Sequence, residues 1–428
     1  MQRAAGDLSF RLRYGGCAAL STQLGDALIA QWHPLPRRGV ICDYAYPAAM
    51  RLECANILLD VATAGRRRGP APRTRVYDPF VGGGTVLDAA LDFQMTDADW
   101  VGGGDASPLA VFASAHRCWR PPPAALKHLA TFTSRLGRGV SKTRGDWRFL
   151  RALVQDEADE PARGGIPRSG AFPDATSALV YTYLVSRQRH LFKKESHEAI
   201  ETFRTVFHAL LEKWGRRQLV VGENARVHVR RRDARSTLDI AVDAVVTSPP
   251  YPGVYDYLQE ARKVRTLFWG GQESFAMTDT DAITDADADT ASERGFLADH
   301  VPSGVSADRE SREDWPSAWS DSAEIGAYRD YKKIARGGDS KLFREKWAQD
   351  QTSWLAAAAQ MLEPGGRVAI VVGDGAFVDT LSATAAVAAH GGLFDVAATA
   401  TIESTVPEHV LRKTGNRRRE HALLLVKT

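Results

Sequence analysis

The sequence predicts an α/β protein whose core is a doubly wound, mostly parallel sheet. Three short apolar runs each end in a polar residue where a buried strand would stop: Val76 to Asp78, Trp100 to Asp105, and Ala244 to Thr247. Helical apolar spacing follows the first run, and a Ser-Pro helix start follows the second. Strands that alternate with helices favour a parallel sheet, and such sheets bind ligands at the carboxyl ends of their strands. We therefore expect these polar residues to share one edge of the sheet.

The third run leads into a corner with the sequence Thr247-Ser248-Pro249-Pro250-Tyr251. Two consecutive prolines cannot continue a strand, because each fixes φ and removes a backbone donor, and the first biases Ser248 toward an extended conformation. The corner therefore presents a hydroxyl, free carbonyl groups and an aromatic ring. Fixed acceptors suit an amino nitrogen and the ring suits a flat base, although a plain turn could use the same residues.

A glycine loop follows the first run, with the sequence Asp78-Pro79-Phe80-Val81-Gly82-Gly83-Gly84-Thr85. Glycines at these positions allow backbone N–H groups to approach a ligand closely. The loop lacks the Gly-Lys-Ser/Thr ending of a phosphate-binding loop, and it begins with an acid. It therefore suits an amine or a positive charge, while the alternative role for Asp78 is to cap the helix that follows.

Two further acids follow strand-like runs. Asp105 ends the second run, where a carboxylate commonly binds ribose hydroxyls, and its alternative role is the N-cap of the next helix. Asp233 follows Val227-His228-Val229 and stands among arginines, so it could either contact a ligand or pair locally.

Taken in order, these motifs resemble those of the DNA amino-methyltransferases, which use S-adenosylmethionine to methylate an exocyclic amine of cytosine or adenine. The resemblance covers roughly residues 40–118 and 218–428. It implies a Rossmann-like, doubly wound class I methyltransferase sheet with a helical insertion. It also implies the following cofactor-binding residues: Tyr46, Pro47, Asp78, Pro79, Phe80, Gly82, Gly84, Thr85, Asp105, Ala106, Asp233 and Thr247.

The same resemblance assigns parts of the reaction to single residues. Asp78 and the glycines would hold the amino-acid part of the cofactor, Asp105 the ribose, and Asp233 would lie near the adenine. Tyr251 would stack on a base flipped out of double-stranded DNA, while Ser248 and the Pro249 carbonyl accept hydrogen bonds from its amine. Accepting the amine protons frees the nitrogen lone pair to attack the methyl group. The implied catalytic residues are Ser248, Pro249, Pro250 and Tyr251.

The serine form of the corner favours N4 of cytosine as the target, within a bacterial modification or defence system that could include a cognate restriction or defence partner. Adenine N6 in DNA and an amine of RNA are alternatives, because the same acceptors can hold each of these amines. A third hypothesis is a nucleic-acid-binding subunit that kept its pocket without turnover, and the intact Ser248, Tyr251 and Asp78 argue against it. No metal is expected.

A discontinuous catalytic domain is predicted over residues 39–118 and 218–428, interrupted at Pro121-Pro122-Pro123. Residues 121–216 have mainly helical spacing and form a candidate target-recognition domain. Residues 120–235 hold 23 Lys or Arg against 12 Asp or Glu. That excess of positive charge suits contact with phosphates, although a solvated helix surface would also account for it.

A second insertion is predicted over residues 271–345. Its 271–330 portion holds 15 Asp or Glu against 4 Arg, and it includes a stretch rich in Asp, Thr and Ala. Such a composition has little to bury and indicates an acidic, partly flexible segment. Either insertion could be the one that recognises DNA.

The amino-acid composition argues against one type of methyl transfer and indicates where the protein is located in the cell. The 428 residues include four cysteines, none of which follows a proline, so the thiolate of a cytosine-C5 mechanism is not expected. Scattered cysteines fit a reducing cytosol. No apolar run reaches the ~18 residues of a membrane helix and no signal peptide is evident, so we expect a cytoplasmic enzyme without a membrane partner.

Overall fold

The computed structural model describes residues 10–32, 43–44, 46, 49–64, 74–92, 100–139, 150, 154, 175–193, 199–220, 227–254, 325, 340–375, 377–404 and 419–428. The strands in these ranges are β1 (Phe10–Gly16), β2 (Arg75–Asp78), β3 (Trp100–Asp105), β4 (Val227–Arg231), β5 (Val242–Thr247), β6 (Leu362–Gly373), β7 (Phe394–Ser404) and β8 (Arg419–Lys427). The helices are α1 (Ala18–Trp32), α2 (Leu52–Thr63), α3 (Thr85–Asp92), α4 (Pro108–Arg117), α5 (Pro123–Gly139), α6 (Ala175–Lys193), α7 (Ala199–Val220), α8 (Ser340–Met361) and α9 (Thr380–Ala389).

These strands form one sheet in the order β1-β7-β8-β6-β5-β2-β3-β4. The five strands from β6 to β4 are parallel, whereas β8 runs antiparallel between β6 and β7, and β1 runs antiparallel to β7. The chain proceeds outward from β2 to β4 and then returns to the other side of β2 at β5. This reversal is the switch point of a doubly wound sheet, where ligands bind. The predicted doubly wound, Rossmann-like α/β sheet is confirmed.

The central strands are buried on both faces, because successive side chains alternate between two helical layers. Val76 of β2 and Val246 of β5 face the layer that contains α1, α2 and α3. Their neighbours Tyr77 and Val245 face the opposite layer, which contains α8 and α9. Burial on both sides explains why these strands are near-continuous apolar runs in the sequence.

The expected helical insertion is present as α5, α6 and α7, and its core also includes one face of α4. Phe112 of α4 packs in the same cluster as Leu129, Tyr181 and Phe207 from the three inserted helices. The insertion is therefore joined to the sheet through α4. Its predicted part in target recognition stays a prediction.

The sheet extends further toward the N-terminus than the predicted boundary at residue 39. Strand β1 pairs along its whole length with β7, from Phe10 opposite Ser404 to Gly16 opposite Ala398. It lies at the edge of the sheet and is only partly buried, so its sequence lacks the apolar run that marked the inner strands. Helix α1 packs against β7 and α2, and therefore belongs to the same unit.

The Glu363-Pro364-Gly365-Gly366 segment predicts a helix stop, with the next strand beginning at Arg367. Strand β6 begins earlier, at Leu362, directly after α8. Val242 pairs with Leu362 and Ala244 with Arg367, so the four residues between form an irregularity in the strand. Gly365 has a φ of +72°, which the irregularity requires and a non-glycine residue rarely adopts.

Most of the acidic insertion at 271–345 lies outside the described residues. Phe343 within it and Trp347 just after it are buried beneath the sheet. These two aromatic residues therefore pack in the core. No helix in the described ranges is long and apolar enough to cross a membrane.

Candidate active site

Strands β2 and β5 bring the two main motifs into direct contact. The hydroxyl of Thr247 donates a 2.6 Å hydrogen bond to Oδ1 of Asp78, although the two residues are 169 positions apart. The strands pair in parallel, with Tyr77 opposite Val245, so both carboxyl ends reach the same edge. Asp78 Oδ1 also accepts the N–H of Phe80 at 3.0 Å. The glycine loop and the Pro-Pro corner therefore form one site.

The glycine loop makes a tight turn from β2 into α3. Gly82 and Gly84 have φ values of +46° and +78°, in the left-handed region that favours glycine. A Cβ on Gly84 would lie 2.8 Å from Cα of Ser114 in α4. The loop is also held by Val81, whose N–H donates to the Gly104 carbonyl at 2.9 Å. Both glycines are needed for this conformation, and Thr85 then begins the helix.

Asp105 joins the glycine loop to the end of β3. Its carboxylate accepts the N–H of Gly82 at 3.0 Å and the N–H of Ser107 at 2.8 Å. Ser107, not Asp105, caps helix α4 by accepting the N–H of Ala110. Ala106 forms the bend between Asp105 and Ser107. The N-cap alternative for Asp105 is therefore wrong, and its carboxylate lies beside the loop.

Burial raises the pKa of both acids. The pKa of Asp78 rises to about 7, because burial and the nearby Asp105 outweigh its hydrogen bonds from Thr247 and Phe80. Burial likewise raises the pKa of Asp105 to about 6, against the hydrogen bonds from Ser107 and Gly82. Within the described residues, neither carboxylate has a basic side chain as partner. A positively charged ligand would lower both pKa values and would be bound in return.

Aromatic rings border the loop on two sides. A Cβ on Gly82 would lie 3.2 Å from Cδ1 of Tyr46, so this buried tyrosine packs directly on the loop. Phe80 meets Trp354 of α8 edge-to-face, with 5.5 Å between the ring centroids. Pro79 lies in the turn between β2 and the loop, whereas Pro47 lies outside the described residues.

In the Pro-Pro corner, Ser248 is partly accessible, whereas the Tyr251 ring is buried. Ser248 is half-buried, and its hydroxyl makes no hydrogen bond to the described part of the chain. Pro249 is buried and Pro250 half-buried. Tyr251 is only 7% exposed, and a Cβ on Gly373 would lie 2.5 Å from its ring. The ring thus packs on the end of β6, which differs from the stacking platform that we expected.

Asp233 pairs with its near neighbour, as the local alternative proposed. Its carboxylate oxygens lie 2.9 and 2.6 Å from Nε and Nη2 of Arg235. Arg235 also donates to Asp350 of α8 at 2.7 Å. The turn after β4 is therefore tied to the helical layer beneath the sheet, and a contact between Asp233 and adenine stays a prediction.

Comparison with known proteins gives loose structural likenesses. No protein-family model matches the sequence, and no curated protein matches it. The rRNA methyltransferase aviRa from Streptomyces viridochromogenes is 12% identical, with a TM-score of 0.32 over 95% of this chain and 92% of its own. TrmN from Thermus thermophilus is 14% identical, with a TM-score of 0.30 over 88% of this chain and 49% of its own. At these TM-scores the function rests on the residues of the site.

A buried ion-pair network supports the glycine loop from below, and the sequence patterns did not reveal it. Arg117, the last residue of α4, donates to Asp88 Oδ2 at 2.7 Å and to the Thr85 hydroxyl at 2.9 Å. Its Nη1 also lies 3.4 Å from the Gly83 carbonyl. The only signal in the sequence was Asp88, an acid inside an otherwise apolar helical stretch.

The helical insertion contributes to the same network. Lys213 Nζ of α7 lies 3.0 Å from Asp88 and 2.7 Å from Asp43, and Arg217 also pairs with Asp88. Burial raises the pKa of Asp43, but attraction to Arg117 and Lys213 outweighs it and lowers the pKa to about 2. Three cations and two carboxylates thus connect α7, α4, α3 and the segment before α2.

Proposed function

We propose that the chain is an S-adenosylmethionine-dependent methyltransferase that acts on an exocyclic amine of DNA, with N4 of cytosine as the target. The observation that carries this proposal is the hydrogen bond between Thr247 and Asp78. It joins a corner suited to holding an amine to a loop suited to holding a positively charged ligand. Two such half-sites at one switch point support a transfer reaction between their ligands.

The residues of the loop fit the proposed cofactor. S-adenosylmethionine, when bound, supplies an electrophilic methyl group on a sulfonium. Asp78 would hold its amino-acid part, because the buried carboxylate has no cationic side chain beside it within the described residues. Asp105 would accept hydrogen bonds from the ribose, and Gly82 and Gly84 allow the backbone to come close. Tyr46 borders the loop beside them.

The corner would act on the target amine through two acceptors. The Ser248 hydroxyl oxygen and the Pro249 carbonyl can each accept one N–H of that amine. Accepting both moves the nitrogen toward sp3 geometry and makes its lone pair available for attack. The remaining acceleration comes from holding the amine in line, for which effective molarities of ~10⁵ M or more are expected.

Tyr251 needs a movement to take its proposed part. Its ring lies against Gly373, so a flipped base could stack on it only after the side chain turned away from β6. Without that movement the ring forms a wall of the base pocket. Double-stranded DNA with a flipped base is the substrate in either case. A restriction or defence partner and a cytoplasmic location are further parts of the proposal.

The test uses purified protein with methyl-labelled S-adenosylmethionine and, in separate reactions, plasmid DNA and total bacterial RNA. The products are digested to nucleosides and identified by mass spectrometry. We expect label in N4-methyldeoxycytidine. Label in N6-methyldeoxyadenosine would move the target to adenine, and label in RNA nucleosides alone would overturn the proposal for DNA.

A pair of serine variants tests the corner. Ser248→Ala should lower kcat by about 10²-fold, since one positioned acceptor is lost, while cofactor affinity is retained. Ser236→Ala is the matched control, because among the described residues its exposed hydroxyl bonds to the nearby Asp233 carbonyl alone. Equal activity of the two variants would show that Ser248 takes no part in the reaction.

A further inference from the structure

The end of β6 packs directly on the Pro-Pro corner at two glycines, Gly373 and Gly375. A Cβ on Gly373 would lie 2.5 Å from Cε2 of Tyr251, and a Cβ on Gly375 would lie 2.1 Å from the Pro252 carbonyl oxygen. Neither position can hold a larger residue without moving Tyr251 or Pro252. The backbone at the end of β6 therefore lies directly against the Tyr251 ring and the Pro252 backbone. Asp374 stands between the two glycines.

The Asp374 carboxylate is held by donors from two other elements. Oδ1 accepts the N–H and the hydroxyl of Thr380, both at 3.0 Å, from the first turn of α9. It also accepts from Nε2 of His421 at 3.0 Å. Oδ2 lies 2.6 Å from Nη2 of Arg419 on β8. The Asp374 N–H donates in turn to the Arg419 carbonyl at 3.1 Å, so backbone and side chain are both fixed.

Strand β7 also contributes to the hydrogen bonds that hold Asp374, through His421. His421 is buried, and its Nδ1 lies 2.8 Å from the hydroxyl of Thr401 on β7. The two ring nitrogens of His421 thus contact Asp374 on one side and Thr401 on the other. Burial raises the pKa of Asp374, but the His421 hydrogen bond and attraction outweigh it, so the pKa stays below its ordinary value. The carboxylate is therefore ionised at neutral pH.

We infer that Asp374 is a positioning residue for the catalytic corner, acting through the two glycines that flank it. It ties the end of β6 to β7, β8 and α9, and this fixes the surface on which Tyr251 and Pro252 lie. The chain on the other side of the corner, Gly253-Val254, turns sharply, with the Val254 N–H bonded to the Tyr251 carbonyl at 3.3 Å. Asp374 thus limits how the Tyr251 ring can move. The inference rests on the proposed function.

The experiment compares Asp374→Ala and Asp374→Asn with Asp379→Ala in the full-length protein. Asp379 is the exposed N-cap of α9 and its carboxylate bonds to Ser382, so its variant controls for damage to the turn after β6. The measurements are kcat and KM for nucleic acid, the Kd of S-adenosylmethionine, and amide hydrogen exchange of residues 248–254. Misplacement of a reacting group by about 1 Å can cost ~10²-fold in rate, which sets the expected loss of kcat for Asp374→Ala.

For Asp374→Ala we expect this lower kcat together with an unchanged Kd of S-adenosylmethionine and faster amide hydrogen exchange in residues 248–254. Asp374→Asn keeps an acceptor for Thr380 and should lose less, whereas Asp379→Ala should keep the wild-type kcat and exchange. Wild-type kcat in Asp374→Ala, or a parallel loss of cofactor binding, would overturn the inference. If the wild-type protein methylates nothing, the proposed function fails, while exchange in residues 248–254 still decides whether Asp374 holds the corner.

Discussion

Thr247 and Asp78 are the last residues of β5 and β2, and a 2.6 Å hydrogen bond joins them across the switch point. Both residues are buried, so the hydroxyl, together with the Phe80 N–H, partly compensates the carboxylate for its loss of water. This bond sets the spacing between the glycine loop and the Pro-Pro corner. A change at either end should therefore affect both stability and the binding of ligands.

Thr247→Val removes this donor and keeps the shape of the side chain. We expect the free energy of unfolding to fall by about 1–3 kcal/mol, because a buried acceptor loses a hydrogen bond. The loss should be larger at pH 8 than at pH 5, since the Thr247 bond lowers the pKa of Asp78 and therefore favours its ionised form. Urea denaturation at the two pH values provides the measurement.

Thr182→Val is the control for this substitution. Thr182 is also buried, but its hydroxyl donates to the Ala178 carbonyl of its own helix at 2.7 Å. No carboxylate loses a donor in this variant, so the effect should be smaller and independent of pH. Equal effects of the two variants at both pH values would contradict the part assigned to Thr247.

Asp78→Asn should make the ligand-free protein more stable at alkaline pH. Its pKa rises from 3.8 to about 7 on folding, so the native state keeps a proton that the unfolded chain loses. The free energy of unfolding therefore decreases as pH rises through this window, by about 4 kcal/mol at 1.36 kcal/mol per pKa unit. Asparagine keeps an oxygen acceptor and cannot ionise, so it avoids this loss.

Denaturation of both proteins at pH 4 and pH 8 tests the sign of this effect. The variant should match the wild type at pH 4 and exceed it at pH 8, while it binds S-adenosylmethionine at least about tenfold more weakly. A stability difference that does not change with pH would show that Asp78 is ionised throughout, against the raised pKa.

Gly84→Ala and Gly215→Ala should have opposite effects. Gly84 has a φ of +78°, and its new Cβ would lie 2.8 Å from Cα of Ser114, so we expect a loss of about 2–4 kcal/mol. Gly215 lies in α7 with nothing within 4 Å of its Cβ position, and alanine there should stabilise by about 0.5–1 kcal/mol. Thermal unfolding of the two variants provides the comparison, and stabilisation of both would be inconsistent with the left-handed loop.

Asp88→Asn should be among the most damaging changes outside the site. It leaves Arg117, Lys213 and Arg217 with Asp43 as the remaining carboxylate of the network, and breaking a buried ion pair on one side typically costs about 3–5 kcal/mol. Cofactor affinity should fall with it, because Arg117 also supports Thr85 and the Gly83 carbonyl. Thermal unfolding and calorimetric titration measure the two effects.

Glu212→Gln is the surface control for that change. It removes the 3.9 Å pair with Arg216, in which both side chains are 70% exposed, and should cost at most about 0.5 kcal/mol. A comparable loss of stability in the two variants would mean that the network under the loop contributes no more than a surface pair.

Local patterns predicted the inner sheet because each signal was contained in a few consecutive residues. The run Val242–Thr247 is apolar since both its faces are covered, and the glycines at 82 and 84 stand where the chain needs positive φ. Edge strand β1 was missed, because partial burial leaves a mixed sequence. The start of β6 was displaced, since a Pro-Gly-Gly segment is found in helix stops and in strand irregularities alike.

By itself the sequence determined the kinds of residue at each strand end and the order in which the motifs occur, because helix, strand and turn preferences depend on neighbours along the chain. Tertiary structure alone decided which of these residues touch. It placed Thr247 on Asp78, turned Tyr251 onto Gly373, and gathered Arg117, Lys213 and Asp88 beneath the loop. Such contacts join residues far apart in the chain, and packing of the whole sheet and its helices is what brings them within hydrogen-bonding distance.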